Sequence, residues 1–128
     1  IAQDATRFEC GSPNMLAAHA LNASISLLLE VGIEKIAAKV NDNVRFLYEC
    51  LQRIKGIEWV TDLSENRTSG IITFTHRSID AQSTQEKLTK KGVICAYRGG
   101  GIRFSPHFYT STEVLAKAVD MFKNCIND

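Results

Sequence analysis

The sequence shows no excess of either charge, no apolar run of membrane length and no paired cysteines. Each absence excludes something. Lys and Arg total 15 against 14 for Asp and Glu, a net charge of +1. That balance offers no electrostatic basis for a nucleic-acid or anionic-membrane partner. No stretch approaches the ~20 consecutive apolar residues of a membrane span, and no basic-then-apolar leader opens the chain. Cys10, Cys50, Cys95 and Cys125 contain no C-x-x-C pair. His19, His76 and His107 lie far apart, so no metal-ligand spacing exists and no metal site is expected. Cys50, Cys95 and Cys125 sit in apolar patterns and read as small hydrophobes in a reduced, cytoplasmic compartment.

What is present is an ordinary globular composition. The 128 residues are 45% hydrophobic and 23% charged, enough for one domain with its own core. Residue 1 is Ile rather than Met, which we read as a piece of a longer chain. Ser12-Pro13 reads as the N-cap and first position of a helix running to about Val31, stopped by Gly32. Its many small residues point to close packing, and His19 among them reads as a packed or interface histidine. Ile36, Val40, Val44, Leu47, Leu51 and Ile54 form one face of a second helix over 33–55, ended by Gly56. Strands follow at 57–61 and 69–75, with His76 solvated at the end of the second. A helix capped by Asp80 runs to Lys91. Short strands at 93–97 and 102–105 flank a glycine loop, and Thr110-x-x-Glu113 opens a final helix as a capping box. The order predicts an α+β domain: a small antiparallel or mixed four-stranded sheet with helices packed on one face, preceded by two helices.

The segment with the most chemical content is Gly99-Gly100-Gly101-Ile102-Arg103-Phe104-Ser105-Pro106-His107-Phe108-Tyr109. It sets one Arg on a short strand after glycines that let backbone turn sharply or approach a ligand. Phe104, Phe108 and Tyr109 would dry its surroundings, and a guanidinium there can grip a carboxylate with its planar fork of donors. On spacing alone, an ordinary surface Arg beside a turn fits as well. Near the other end, Arg7-Phe8-Glu9-Cys10-Gly11-Ser12-Pro13-Asn14 places a hydroxyl and free N–H groups at a helix start, a natural anion site. There, on spacing alone, a plain N-cap and a surface charge are the favoured account of the residues.

Both segments resemble motifs of the class V aminotransferases and their relatives in the cysteine desulfurase and selenocysteine lyase superfamily. These are fold type I enzymes that use pyridoxal phosphate. The run from Ile102 to Tyr109 resembles their C-terminal signature, in which an Arg at the position of Arg103 binds the substrate's α-carboxylate. Thr110 stands where Asn is common. The run from Arg7 to Asn14 resembles their R-F-E-x-G-T-P-N stretch, whose Gly-Thr pair reaches across a dimer to the cofactor phosphate; here the pair is Gly11 and Ser12. The resemblance covers essentially the whole chain and implies the small C-terminal domain of such an enzyme. Its partners would be the large cofactor-binding domain, a second subunit and an amino-acid substrate. Arg103, Arg98 and His107 are the implied substrate-binding residues, and Gly11 and Ser12 the implied cofactor-binding residues. No lysine lies in a Schiff-base context, so the chain supplies no catalytic residue and is expected to be inert alone. The desulfurases carry an active-site Cys on a loop that the short Arg98–Ile102 connection leaves no room for, while transamination, racemisation and other lyase chemistry stay open. The competing reading is a stand-alone α+β module that binds a small ligand or a protein without chemistry. It predicts a polar surface, whereas the enzyme-domain reading predicts an apolar patch on the first helix.

Overall fold

The computed structural model describes residues 2–8, 11–64, 67 and 69–127. Cys10, Glu9 and the end of the chain lie outside them. The chain divides into two compact units, Ile1–Lys35 and Ile36–Asp128.

The first unit holds a short 3-10 turn at Ala5–Phe8 and helix α1, Met15–Val31. The helix begins later than its sequence suggests. Asn14, not Ser12, is the N-cap, and its Oδ1 accepts from the Ala17 N–H at 3.0 Å. Asn caps as well as Ser, and here it lies one residue nearer the first helical turn than Pro13. Gly32 stops α1 at φ +93°, its N–H donating to the Leu28 carbonyl. No residue of α1 is buried: Leu16 is 82% exposed and Leu29 68%. The packing that its small residues suggest is therefore not provided by this unit, and His19 is exposed rather than packed.

Helix α2, Ile33–Leu51, carries the expected stripe into the second unit, where Ile36, Val44, Leu47 and Leu51 are buried. It ends one turn earlier than its periodicity, because Ile54 N–H bonds to the Leu51 carbonyl and tightens the chain into a turn. Strands β1 (Ile57–Trp59), β2 (Ile72–His76), β3 (Ala96–Arg98) and β4 (Gly101–Phe104) form one antiparallel sheet in the order β1-β2-β4-β3. Helices α3 (Ala81–Lys90) and α4 (Thr112–Asn127) complete the chain. Asp80 caps α3 as expected, its Oδ2 accepting from Ser83 N–H at 2.7 Å. The cap of α4 shifts by one residue: the Ser111 carbonyl takes the first helical bond, from Leu115.

The sheet buries one face. Ile72 and Phe74 of β2 pair with Phe104 and Ile102 of β4, and all four join Leu47, Leu51, Leu88, Val119 and Phe122 in one core. Helices α2, α3 and α4 thus line a single side of the sheet, the α+β arrangement that the element order predicts. Phe74 meets Phe104 and Phe122 edge-on, with ring centroids 5.3 and 5.0 Å apart. Each such pair adds about 0.5–1.5 kcal/mol beyond burial.

His76 is 6% exposed, a correction to its solvated reading. Its Nδ1 accepts from Ser78 N–H, so Nε2 carries the proton and donates to the Lys55 carbonyl at 2.9 Å. The ring thereby pins the α2–β1 turn. Gly56 in that turn has φ +99°, and a Cβ there would lie 2.7 Å from His76 Nε2. Gly92 has a similar φ of +89° with open space around it. Gly56→Ala is therefore expected to lower unfolding stability by about 2–3 kcal/mol, and Gly92→Ala by about 1 kcal/mol. Urea midpoints of the two variants check this, and equal losses would show that contact with His76 is irrelevant.

Candidate functional site

Strand β4 is interior, with Arg103 opposite Thr73 of β2 on one side and Ala96 of β3 on the other. Because Ile102 and Phe104 turn into the helix-covered core, the alternation of a strand sends Arg103 to the opposite face. There it is half-buried, and its Nε is shielded from water with no hydrogen-bond partner. Arg45, Arg67 and Arg77 each have an acidic partner. Among the described residues Arg103 has none, and neither has Arg98. A buried donor left unpaired costs about 1–3 kcal/mol, more when charged. The arrangement opposes stability, and a two-oxygen anion is the group that would relieve it.

Arg98 is the exposed last residue of β3. It pairs with Gly101 and so stands diagonal to Arg103 on the same sheet face. Gly99 and Gly100, at φ +58° and +82°, form the two-residue hairpin between the strands, the loop that requires left-handed backbone at both positions. Gly101 is not part of a flexible loop. It is buried in β4, where a Cβ would come within 2.7 Å of the Phe74 carbonyl oxygen.

His107 is exposed and stacks on Tyr109, ring centroids 4.3 Å apart. With Phe104, Pro106, Val114 and Met121 it lines a groove of about 480 Å³ whose walls do not include Arg103. His107 and Arg103 are thus close in sequence and not gathered into one pocket. Nor do the aromatic residues shield Arg103 as their proximity suggests, since Phe104 points into the core and Tyr109 is 76% exposed. The turn from His107 to Thr110 is closed by Thr110 N–H on the His107 carbonyl, 3.0 Å. Asn43 of α2, fully buried, donates from Nδ2 to the carbonyls of His107 and Thr110 at 3.0 and 3.1 Å. Sequence reasoning missed Asn43. The available signal was a polar residue beside Val44 in an otherwise apolar stripe.

In the first unit, Gly11 has φ +77° with open space where a Cβ would stand. Ser12 is exposed, and among the described residues its hydroxyl has no hydrogen-bond partner. No cluster of metal-ligating side chains exists among the described residues. No single described helix is long and apolar enough to cross a membrane.

Comparison with known proteins decides the family. The class-V aminotransferase family model matches residues 1–113. The chain belongs to the class-V aminotransferase family. It is 32% identical over 123 residues to the uncharacterized aminotransferase YcbU of Bacillus subtilis (strain 168), covering 93% of this chain and 31% of that protein. Its fold matches an apo cysteine desulfurase from Thermococcus onnurineus NA1 with TM-score 0.87 at 18% identity, over 99% of this chain and 35% of that one. A NifS-like protein from Rickettsia africae ESF-5 matches with TM-score 0.79 at 15% identity, over 93% and 36% of the two chains. The cystine C-S lyase C-DES matches with TM-score 0.82 at 18% identity, over 94% and 32%. At such identities the structures establish the fold alone. The chain spans about a third of the length of these relatives.

Members of the class-V aminotransferase family use pyridoxal phosphate. The residues present fit contacts with such a group and not its covalent attachment. Among the described residues the Ser12 hydroxyl is uncommitted, beside an uncrowded Gly11, whereas every lysine of the chain is exposed. A Schiff-base lysine is tuned by burial, which none of these has. Cys95 is half-buried with Sγ directed at the Gln85 carbonyl, and burial pushes its thiol above the ordinary value despite hydrogen bonds with Thr89 and Gln85. A raised thiol holds less thiolate at neutral pH. Iodoacetamide at pH 7.5 should therefore label Cys95 more slowly than glutathione in the folded protein, and as fast in urea, by peptide mass spectrometry. Faster labelling in the folded state would make Cys95 a reactive thiol.

Proposed function

We propose that this chain is the C-terminal small domain of a pyridoxal-phosphate-dependent, class-V aminotransferase-like enzyme acting on amino acids, and that Arg103 binds the substrate's α-carboxylate. One observation carries the reading: a strand-held Arg whose Nε is buried without any partner. The interior strand fixes the guanidinium's origin, so little side-chain freedom is lost when a carboxylate docks. Arg98, on the same face, adds positive charge to the approach, and His107 contributes from the adjacent turn. Gly11 and Ser12 hold the cofactor phosphate across a dimer, Gly11 by its unhindered backbone and Ser12 by its hydroxyl. The cofactor, attached to a lysine of the large domain, supplies the electron sink for chemistry at the substrate's α-carbon. The exposed apolar residues of α1 support a missing large domain or second subunit, since a stand-alone module would present a polar helix there. The enzyme works in the cytoplasm.

Among the reactions such cofactors support, transamination, racemisation and lyase chemistry remain compatible with the chain. A persulfide-forming desulfurase is disfavoured. Only Gly99 and Gly100 separate Arg98 from β4, so no cysteine-bearing loop stands there, and Cys95 is a poor nucleophile.

The full-length enzyme provides the test. Purified with pyridoxal phosphate, it should show a visible absorption band that shifts as amino acids are titrated in. Arg103→Ala should leave that band in place and raise the amino-acid Kd by about 10–100-fold, the equivalent of one charge-assisted contact. Arg103→Lys should recover only part of the loss, because an ammonium cannot form the two-pronged contact. An unchanged amino-acid Kd in Arg103→Ala would remove the assignment.

A further inference from the structure

Among the described residues, two buried side-chain polar atoms have no hydrogen-bond partner: Arg103 Nε and Asn43 Oδ1. Arg103 lies on β4 and Asn43 on α2, and Asn43 is bonded to the turn that follows β4. Asn43 sits in the buried stripe of α2, a position that an apolar residue ordinarily fills. Instead both hydrogens of its amide are spent on the carbonyls of His107 and Thr110, 64 and 67 residues away in sequence. Those carbonyls bracket the turn that follows β4. Between Phe104, the last residue of the strand, and His107 stand only Ser105 and Pro106. Pro106 is buried and its ring fixes φ, so a displacement of the turn passes to the strand rather than dissipating in a loose linker.

From this geometry we infer that Asn43 is a positioning residue for the carboxylate site. It clamps the His107–Thr110 turn to α2 and thereby fixes the C-terminal end of β4, on which Arg103 is carried. The clamp accepts one unpaired buried oxygen in exchange for a defined turn. Burying such a group is disfavoured for stability, so an Asn whose amide is spent on this turn marks placement, not packing, as its role. The inference rests on Arg103 being the carboxylate-binding group.

The test uses the full-length holoenzyme and two readouts. Asn43→Leu keeps the number and branching of side-chain heavy atoms and removes both the unpaired oxygen and the two bonds of the clamp; Asn43→Ala is made alongside in case the bulkier Leu packs badly. Backbone amide exchange at Phe108–Thr110 should accelerate by about tenfold or more, as expected when a pair of hydrogen bonds is lost. The amino-acid Kd should rise by roughly 3–10-fold, with the cofactor band and the rate at saturating substrate unchanged. Leu47→Val, a core variant one turn along α2, is the control: it lowers stability and should move neither readout. Unaltered exchange in the turn would overturn the clamp. Faster exchange with an unchanged Kd, while Arg103→Ala still weakens binding, would overturn the positioning role. If Arg103→Ala itself has no effect, the carboxylate reading falls and the positioning role with it, whereas faster exchange in the same experiment would show the clamp to be purely structural.

Discussion

The alternation of β4 is the constraint on which the rest of this structure depends. Ile102 and Phe104 must enter the core, and in a strand that obliges Arg103 to leave it. A slip of one residue would bury a guanidinium among Phe74, Phe122 and Leu47 and expose two large hydrophobes. The register is secured from both sides, by β2 through Ile72 and Phe74 and by β3 through Tyr97. Phe74 ties the sheet to α4 through its edge-on contacts with Phe104 and Phe122, and truncating such a residue costs about 3–5 kcal/mol. The apolar face therefore supplies the stability, and the face that carries Arg103 rides on its geometry.

The buried polar groups separate along the same line. His76 has both ring nitrogens engaged and fixes the α2–β1 turn. Thr73 has its backbone N–H taken by Thr61 Oγ1 at 2.7 Å. Those groups are satisfied, as buried polar groups ordinarily are. Arg103 and Asn43 are not, and both attach to the segment from β4 to Thr110. Among the described residues, the unsatisfied buried polar atoms are thus those of Arg103 and of the residue that holds the turn after β4, and local inconsistency of this kind is where function is expected.

Much of this was legible in the sequence for identifiable reasons. The stripe of α2, the glycine stop at Gly32 and the Asp80 cap are local signals, and local physics decides them, whereas α2 ends at Leu51, short of Gly56. The placement of Arg103 on a short strand followed from the apolar residues flanking it. The strand ends were less legible, because pairing partners set them: β3 begins at Ala96 rather than Val93, where its neighbour β4 runs out. The caps of α1 and α4 each moved because Ser, Thr and Asn cluster at both helix starts, Ser12 and Asn14 in one case and Thr110 and Ser111 in the other. Any of them can cap, and sequence alone does not rank them. Asn43 and His76 were illegible in kind. Their partners are backbone carbonyls far along the chain or across a turn, and no periodicity encodes such a bond.

Helix α1 completes the argument about what kind of object this chain is. Its 17 residues include Leu16, Leu21, Ile25, Leu27 and Leu29, all exposed, and none is buried. A helix apolar on so many sides is characteristically enclosed by other protein. The second unit already has a closed core of its own, so it neither needs these residues nor explains them. The family relatives are about three times as long as this chain, which leaves ample protein to cover such a helix in our reading of the chain as one domain of a larger enzyme. The second unit builds a rigid sheet that presents Arg103, and the first presents an apolar helix that its own residues leave uncovered.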